Sequence, residues 1–467
     1  MAGRVARVFG LMRRGAAMFT AATLAMASAA ASAANLVGHG GPVRAIAVAE
    51  DGRTALSGSF DYSMILWRLD GPASADEWIF DDHDGAVNAV AFVDGSDRAL
   101  SGSDDGAVRI WNLAGRELVY RFEGHTQKVV ALALSPDGRI AASAGWDRTV
   151  RLWDLEELRP LTVLHGHTGN VNAVAFSVDG TALYSASYDG TIREWRVRDG
   201  AFVRIVYDHG WGVNVLQRLP GSGMLLFGSL DGTVGLVDPG GDDAVRILDR
   251  REGPVLAIAV SSQDALAAAG GADGHITVWS TEDWSETFRH ENPYGPIWAL
   301  AFSGDGHSLY YGGLDDYIVH LALDRPPPLD AREGDFPRRF QVSRDLSLGE
   351  RQFARKCSVC HTLTPDGANR AGPTLYDLFG RRAGTLPGYS YSDALKDSDI
   401  VWTEETVADL FADGPEYVVP GSKMPLQRMT SQAERDALIA FLKEATKADP
   451  GGSSRSRDDE ASGDTVR

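Results

Sequence analysis

Short apolar or alternating runs separated by turn residues extend from about residue 36 to residue 323. A typical run covers residues 171–176, and Gly, Asp and Ser cluster between neighbouring runs. Runs of this length between turn signals are typical of β-strands. The pattern stops at Asp324, which is followed almost at once by three consecutive prolines. The hydrophobic pattern therefore predicts an all-β N-terminal region that ends near residue 323.

The strand pattern repeats with a nearly constant period. An acidic turn residue recurs once after 44 residues and then five times after 42, and in five copies a Trp stands six residues after it. In five copies a His stands 22 residues before the acid. Self-similarity at this period predicts one supersecondary unit that is stacked seven times. The seven acids are Asp61, Asp105, Asp147, Asp189, Asp231, Asp273 and Asp315.

The third copy contains the dipeptides Gly124-His125 and Trp153-Asp154, and on these residues and this spacing the repeats resemble WD40 repeats. The resemblance implies a seven-bladed β-propeller over residues 35–323. In WD40 repeats the His, a Ser or Thr, the turn Asp and the Trp form a buried hydrogen-bonded row within one blade. Buried polar groups are stable when such partners are supplied. We therefore interpret the repeated histidines as structural residues rather than metal ligands. The matching serines are Ser57, Ser101, Ser143 and Ser185.

The row is incomplete in the last three copies, where Phe227, Ala269 and Tyr311 stand in place of Ser. One interpretation of this change is sequence drift. A second hypothesis is that blades five to seven form a surface that contacts the C-terminal domain or a partner. Both interpretations remain open. The aromatic residues of the last copy are Tyr294, Trp298, Tyr310, Tyr311 and Tyr317.

The predicted ring must join its first and last blades, because an unclosed sheet edge can pair with other chains. Few residues precede His39 once the leader described below is removed. We therefore expect either a short N-terminal closing strand or a replacement strand from residues 338–342.

The only two cysteines lie in the run Cys357-Ser358-Val359-Cys360-His361. This spacing is the attachment site of a c-type haem, in which each thiol adds across one vinyl group and the imidazole then ligates the iron. A zinc site would need further Cys or His nearby, and a thioredoxin-like redox pair would need a βαβ context that is absent. We therefore predict one covalent haem c attached through Cys357 and Cys360.

Further motifs follow this site in a fixed order. They include Gly372-Pro373-Thr374-Leu375, Leu378-Phe379-Gly380-Arg381-Arg382, Ile400-Val401-Trp402 and Pro420-Gly421-Ser422-Lys423-Met424-Pro425. Their order and most of their spacings resemble a class I cytochrome c of the mitochondrial kind. The resemblance implies an all-α cytochrome c domain over residues 343–447. A Pro-rich linker over 324–342 precedes it, and a Gly-, Ser- and Asp-rich tail over 448–467, which we expect to be disordered, follows it.

The same resemblance implies the ligands of the iron. His361 corresponds to the proximal ligand, with the Pro373 carbonyl accepting its other ring N–H, and Met424 corresponds to the distal ligand. The alternative thioether in the domain is Met429, which lies outside the Pro-Gly-Ser-Lys-Met run. A Met/His pair fills both axial positions and suits electron transfer. The positions that contact a haem propionate in the family are Arg381, Tyr391 and Trp402.

Two positions depart from the family pattern. Phe411 stands where a tyrosine usually donates to the Met sulfur, and Leu395 stands where an asparagine is common. Both replacements remove polar groups near the haem and therefore affect its reduction potential. The first and last helices of the domain are implied to cross where Gly349 and Phe353 meet Leu438 and Phe441.

Residues 1–33 carry four arginines and no acid, and they include an uncharged Ala-rich run that ends in small residues. This pattern predicts a cleaved secretory signal peptide; a retained membrane anchor is the alternative, which the weak hydrophobicity of the run disfavours. Because c-type haem attachment takes place outside the cytoplasm, we expect a periplasmic protein without stable membrane insertion. The formal net charge of −19 argues against nucleic acid as a partner.

Together these features predict a periplasmic cytochrome that carries single electrons, with the propeller serving as a docking platform for redox partner proteins. The platform role rests on analogy with other WD40 propellers. On this interpretation the protein transfers electrons rather than catalysing a reaction. Two alternatives remain open: an oxidoreductase whose propeller holds a second cofactor or active site, and a redox or ligand sensor in which the Met ligand is displaced.

Overall fold

The part of the chain described by this computed structural model consists of residues 35–69, 78–93, 95, 97–241, 245–261, 265–292, 295–324, 346–358, 360–365, 372–387, 389, 391, 393–419, 424, 429 and 431–447. The predicted signal peptide and C-terminal tail lie outside these residues. So does the predicted linker, apart from Asp324.

The N-terminal region forms seven antiparallel sheets of four strands each, as the repeat pattern predicts. Blades one to three contain β2 to β13, which are Val43–Val48, Thr54–Ser59, Met64–Arg68, Trp78–Phe80, Val87–Val93, Arg98–Ser103, Val108–Asn112, Glu117–Phe122, Val129–Leu134, Ile140–Gly145, Val150–Asp154 and Arg159–Leu164. Blades four to six contain β14 to β25, which are Val171–Phe176, Ala182–Ser187, Thr191–Arg196, Ala201–Asp208, Val213–Arg218, Leu225–Ser229, Thr233–Val237, Arg246–Arg250, Val255–Val260, Leu266–Gly271, His275–Ser280 and Glu286–Glu291. Blade seven contains β26 to β28, which are Ala299–Phe302, Ser308–Gly312 and Tyr317–Ala322, together with β1, Leu36–Val37.

The ring is closed by the two-residue strand β1, which pairs with β28 through Leu36 opposite Ile318 and Val37 opposite Tyr317. The backbone N–H of His320 also donates to the Asn35 side chain at 3.1 Å. Closure therefore uses the short N-terminal strand that the sequence predicts, and it covers the edge of blade seven. The alternative closing segment, 338–342, lies outside the described residues.

The predicted hydrogen-bonded row is present in blades one to four. In blade three, His125 Nδ1 lies 2.9 Å from Asp147 Oδ2, His125 Nε2 lies 2.8 Å from Ser143 Oγ, and Trp153 Nε1 donates to the same hydroxyl at 2.8 Å. A carboxylate only accepts, so Nδ1 carries the proton and Nε2 accepts from the serine hydroxyl. These histidines therefore have structural partners, as predicted.

Replacing Ser143 with alanine is expected to lower the free energy of unfolding of the propeller by about 2–4 kcal/mol, because His125 and Trp153 would each lose a buried partner. Urea unfolding measures the change. The matched control is Ser285→Ala, in an exposed turn where the hydroxyl bonds only to Asp283. Equal effects of the two substitutions would show that the row does not stabilise the blade.

The rows also predict a loss of stability in acid. Burial lowers the pKa of His83 and His167 despite their hydrogen bonds to Asp105 and Asp189. Burial alone would raise the pKa of Asp147, but its hydrogen bonds lower that pKa well below the ordinary range. In both cases the unfolded chain binds more protons, so stability rises with pH. Stability is therefore expected to fall with acidification, first below about pH 6.5 and then again below about pH 4, in urea titrations across pH.

The last three blades replace the row by other contacts. In blade five, His209 still bonds to Asp231 at 3.1 Å, while in blade six the Arg251 guanidinium donates to the Ala269 carbonyl and the Thr277 hydroxyl.

In blade seven, Tyr310 and Tyr311 are only 4% and 5% exposed. The hypothesis that the blade-seven aromatics form a contact surface is therefore wrong for these two tyrosines. Strand β27 has a neighbouring layer on each face, so both of its faces are buried. Tyr294 lies outside the described residues.

The C-terminal region is helical, in agreement with the predicted cytochrome c domain. Its helices are α1, Leu348–Lys356; α2, Asp393–Lys396; α3, Glu404–Asp413; α4, Pro415–Val418; and α5, Gln432–Ala445. No helix among the described residues is both long enough and apolar enough to cross a bilayer.

Helices α1 and α5 pack closely. Helix α1 begins in a capping box, in which the Glu350 N–H donates to the Ser347 hydroxyl and the Glu350 carboxylate accepts from the Ser347 N–H. A Cβ at Gly349 would overlap the Ala437 carbonyl, so a glycine is needed where the helices touch. The Phe353 and Phe441 rings lie 5.6 Å apart beside this point. The crossing that the resemblance implies is therefore present.

Candidate haem site

The two cysteines and the histidine of the predicted attachment site lie in the turn that ends α1. The Cys357 N–H donates to the Phe353 carbonyl, and the N–H groups of Cys360 and His361 both donate back to the Cys357 carbonyl, at 3.1 and 2.9 Å. The two cysteines are not joined by a disulfide bond, and Cys357 is buried whereas Cys360 is half-buried. Residues three apart on a helical turn lie on the same side. Both thiols can therefore reach one edge of a flat ligand.

The ring of His361 is held in one orientation by the segment that follows. Its Nδ1 donates to the Pro373 carbonyl at 2.7 Å, which is the contact that the resemblance implies. A Cβ at Gly372 would overlap the imidazole ring. The Gly372 N–H also donates to the Cys360 carbonyl at 2.8 Å. Because Nδ1 acts as a donor here, a metal would bind to the other ring nitrogen, Nε2.

Sequence reasoning assigned no role to Gly372. The signal that could have found it is the glycine directly before Pro373, because a chain that passes this close to an imidazole has no room for a side chain.

Met424 and Met429 both belong to the apolar cluster of the C-terminal region. Met424 is half-buried, whereas Met429 is only 2% exposed and its backbone N–H donates to the Phe411 carbonyl at 2.7 Å. Phe411 is itself buried in the cluster, so the position that departs from the family pattern contributes an apolar ring. Other members of the cluster are Leu375, Leu378, Phe379, Val407 and Trp402.

The three residues predicted to contact a propionate lie close together. The Trp402 N–H donates to the Arg381 carbonyl at 3.0 Å. The positive charge of Arg381 acts on the Tyr391 phenol and favours its ionised form. Burial raises the pKa of the Tyr391 phenol, and Arg381 partly opposes that shift. The Arg381 guanidinium itself donates to the carbonyls of Thr374 and Tyr376, at 2.8 and 2.9 Å. Arg381 therefore stabilises the loop after Pro373, a role that its family position did not suggest. Its contact with a haem propionate stays a prediction.

The arrangement fits a covalently held haem. It supplies two cysteine side chains on one turn, an imidazole fixed through its Nδ1, a thioether and an apolar lining. No group of three or more metal-binding side chains gathers elsewhere among the described residues. The histidines that fall outside the repeat register, His165, His275, His290, His307 and His320, accordingly form no such group.

Comparisons with known proteins agree with this site. A family model described as "Cytochrome c" matches residues 346–446. Cytochrome c of Gibberella zeae is 39% identical over 103 residues, which cover 22% of this chain and 96% of that protein. Cytochrome c of Sesamum indicum is 43% identical over 102 residues, 22% of this chain and 91% of that protein. Cytochrome c2 of Blastochloris viridis is 40% identical over 103 residues, 22% of this chain and 80% of that protein.

The chain therefore belongs to the cytochrome c family through its C-terminal domain. The N-terminal region matches the family model "WD domain, G-beta repeat" over residues 31–68 and 243–280, and the model "WDR90, 4th beta-propeller" over residues 86–222. The protein thus combines a WD40 propeller with a cytochrome c domain, and its cofactor is a covalently attached haem c.

Proposed function

We propose that this protein is a periplasmic electron carrier whose haem is attached through Cys357 and Cys360 and ligated by His361 and Met424. The observation that carries the proposal is the hydrogen bond from His361 Nδ1 to the Pro373 carbonyl, which fixes the ring and leaves metal binding to the other ring nitrogen, Nε2. When bound, the haem supplies a single electron by cycling between ferrous and ferric iron. The residues around it hold the ligands in place and exclude water from the site.

Two axial ligands from the protein leave no open position for a substrate, which is why we favour electron transfer over catalysis. The buried Phe411 and the apolar residues around Met424 place the haem in a poorly hydrated environment. Such an environment disfavours the more highly charged ferric state and raises the reduction potential.

We also propose that the propeller binds a redox partner protein. A partner bound to the propeller meets the haem at the effective concentration set by the covalent connection, and no tight contact with the haem domain is then required. The propeller is the larger domain, and its seven blades provide a rigid platform.

A potentiometric titration of the purified full-length protein tests the electron-carrier function. We expect one reversible transition with a slope of about 59 mV per decade, as one electron requires. A two-electron slope, or a second redox transition, would contradict a single-haem carrier.

The periplasmic location is tested separately, by cell fractionation and by sequencing the N-terminus of the mature protein. We expect the haem-bearing protein in the periplasmic fraction, with residues 1–33 removed. Recovery from the membrane with residues 1–33 still present would instead support a retained anchor.

A further inference from the structure

One end of the central channel is surrounded by seven equivalent positions, one from each blade. Each position is the second residue after the turn that leads into the inner strand. The channel has a volume of about 660 Å³ and is lined by the inner strands of all seven blades. At three of these positions an asparagine side chain reaches the next blade: Asn88 donates to the Val129 carbonyl at 3.0 Å, Asn172 to Val213 and Asn214 to Val255. The asparagines therefore connect neighbouring blades. The remaining positions are Arg44, Val130, Leu256 and Trp298.

Arg44 occupies the asparagine position of blade one and makes none of these contacts. Its guanidinium lies over the ring of Trp298 at 5.0 Å and near that of Phe60 at 5.7 Å. Its Nε is buried without a hydrogen-bond partner, and no carboxylate of the described residues lies within ion-pair distance of it. Burial lowers the pKa of Arg44, which Asp104 and Tyr188 only partly oppose. A guanidinium remains charged, so this is a poorly hydrated cation without an anion.

The nearby charges are already paired. Lys128 forms an ion pair with Asp104 and also lies 5.5 Å from the ring centre of Trp146. Asp104 in turn accepts from the Asn88 side chain at 2.8 Å. Arg44, which has no such partner among the described residues, is therefore available to a ligand at this end of the channel.

Aromatic side chains continue outward from Arg44. The Trp146 and Tyr188 rings are 6.4 Å apart, and a Cβ at Gly212 would lie 3.1 Å from the Tyr188 Cα, so the loop that carries Trp211 packs against Tyr188. Tyr188 is 38% exposed and Trp211 is 64% exposed. Exposed aromatic residues of this kind are enriched among those that dominate protein interfaces. We call Arg44, Phe60, Trp146, Tyr188, Trp211 and Trp298 the channel-mouth patch.

We propose that the channel-mouth patch binds a partner protein by receiving one of its Asp or Glu side chains against Arg44. A guanidinium binds a carboxylate through two parallel hydrogen bonds. Arg44 is half-buried rather than fully buried, so part of its side chain can be reached by a ligand. A free carboxylic acid would gain only this one ion pair. A protein can add the burial of Tyr188 and Trp211, which is why we assign the carboxylate to a protein side chain. This inference rests on the proposed function, in which the propeller holds the partner.

The test uses full-length haem protein and an array of immobilised acetylated pentapeptides, Ala-Leu-X-Leu-Ala, in which X is Glu, Asp, Gln, Asn or Lys. The variants are Arg44→Asn, which restores the residue found in blades two, four and five, and Arg44→Lys, which keeps the charge. Arg139→Asn is the matched control, because Arg139 is exposed and already paired with Glu156. Soluble butyrate serves as the free-acid competitor.

We expect the wild-type protein and Arg139→Asn to bind the Glu or Asp peptide about fivefold more strongly than its amide counterpart. Arg44→Asn should lose this preference and Arg44→Lys should keep part of it. Equal binding of acid and amide peptides, or an unchanged preference in Arg44→Asn, would overturn the proposal. Butyrate binding as tightly as the peptide would overturn its assignment to a protein side chain. If the potentiometric titration shows one reversible one-electron transition but the peptide array shows no preference for acidic peptides, this inference is refuted and the electron-carrier function is not.

Discussion

Replacing both Cys357 and Cys360 with alanine is expected to abolish covalent haem attachment. Each thiol forms one thioether bond, so the double variant has no covalent link to the porphyrin. The two cysteines lie on one turn after α1, and no strand of the propeller depends on them. The propeller should therefore fold normally while the C-terminal domain loses its cofactor.

Haem staining of a denaturing gel, together with the mass of the denatured chain, measures this loss. Each single alanine variant should retain one bond and therefore some stain. Ser358→Ala is the control within the same turn, because it removes a hydroxyl that donates to the Ala354 carbonyl and leaves both thiols in place. Haem that remained with the denatured double variant would show that attachment uses other residues.

Replacing Met424 with leucine is expected to open the sixth position of the iron and to lower the reduction potential. Axial ligands set haem potentials over a range of roughly 0.8 V, and a Met ligand raises the potential. The fall should therefore be a clear fraction of that range in a potentiometric titration. The reduced variant should also bind CO, which the wild-type protein should not.

The matched control is Met429→Leu, which changes the other thioether of the domain. Met429 is buried beside Phe411, and exchanging Met for Leu conserves volume, so only a small loss of stability, below about 1.5 kcal/mol, is expected. Its potential and CO response should match the wild type. If Met429→Leu opened the iron and Met424→Leu did not, Met429 would be the distal ligand.

The propeller could be predicted in detail because its signals recur. One Trp or His says little, but His125, Ser143, Asp147 and Trp153 repeat their spacing in four blades, and the structure connects each set in the same way. The closing strand could be predicted as short from the few residues before His39. The cytochrome c domain was identifiable because Cys357, Cys360 and His361 occupy a spacing that covalent haem requires.

Other features depend on contacts between blades or segments that no local pattern reveals. Tyr310 and Tyr311 are adjacent on one strand and face opposite sides, so their simultaneous burial follows only from the layers stacked on both faces. Arg44 is unusual only beside the asparagines that the fold places at equivalent positions, some 40 residues away in the chain. The contacts of Arg381 with the Thr374 and Tyr376 carbonyls likewise depend on how its loop folds back.

The visible spectrum of the purified full-length protein, oxidised and reduced, with and without CO, tests the central claim most directly. The proposed Met/His ligation predicts a c-type spectrum that CO leaves unchanged, because both axial positions are filled by His361 and Met424. A spectrum that CO shifts would mean an open iron and would favour a sensor or an enzyme. Additional bands would mean a second cofactor, and the propeller would then be the place to look for an active site.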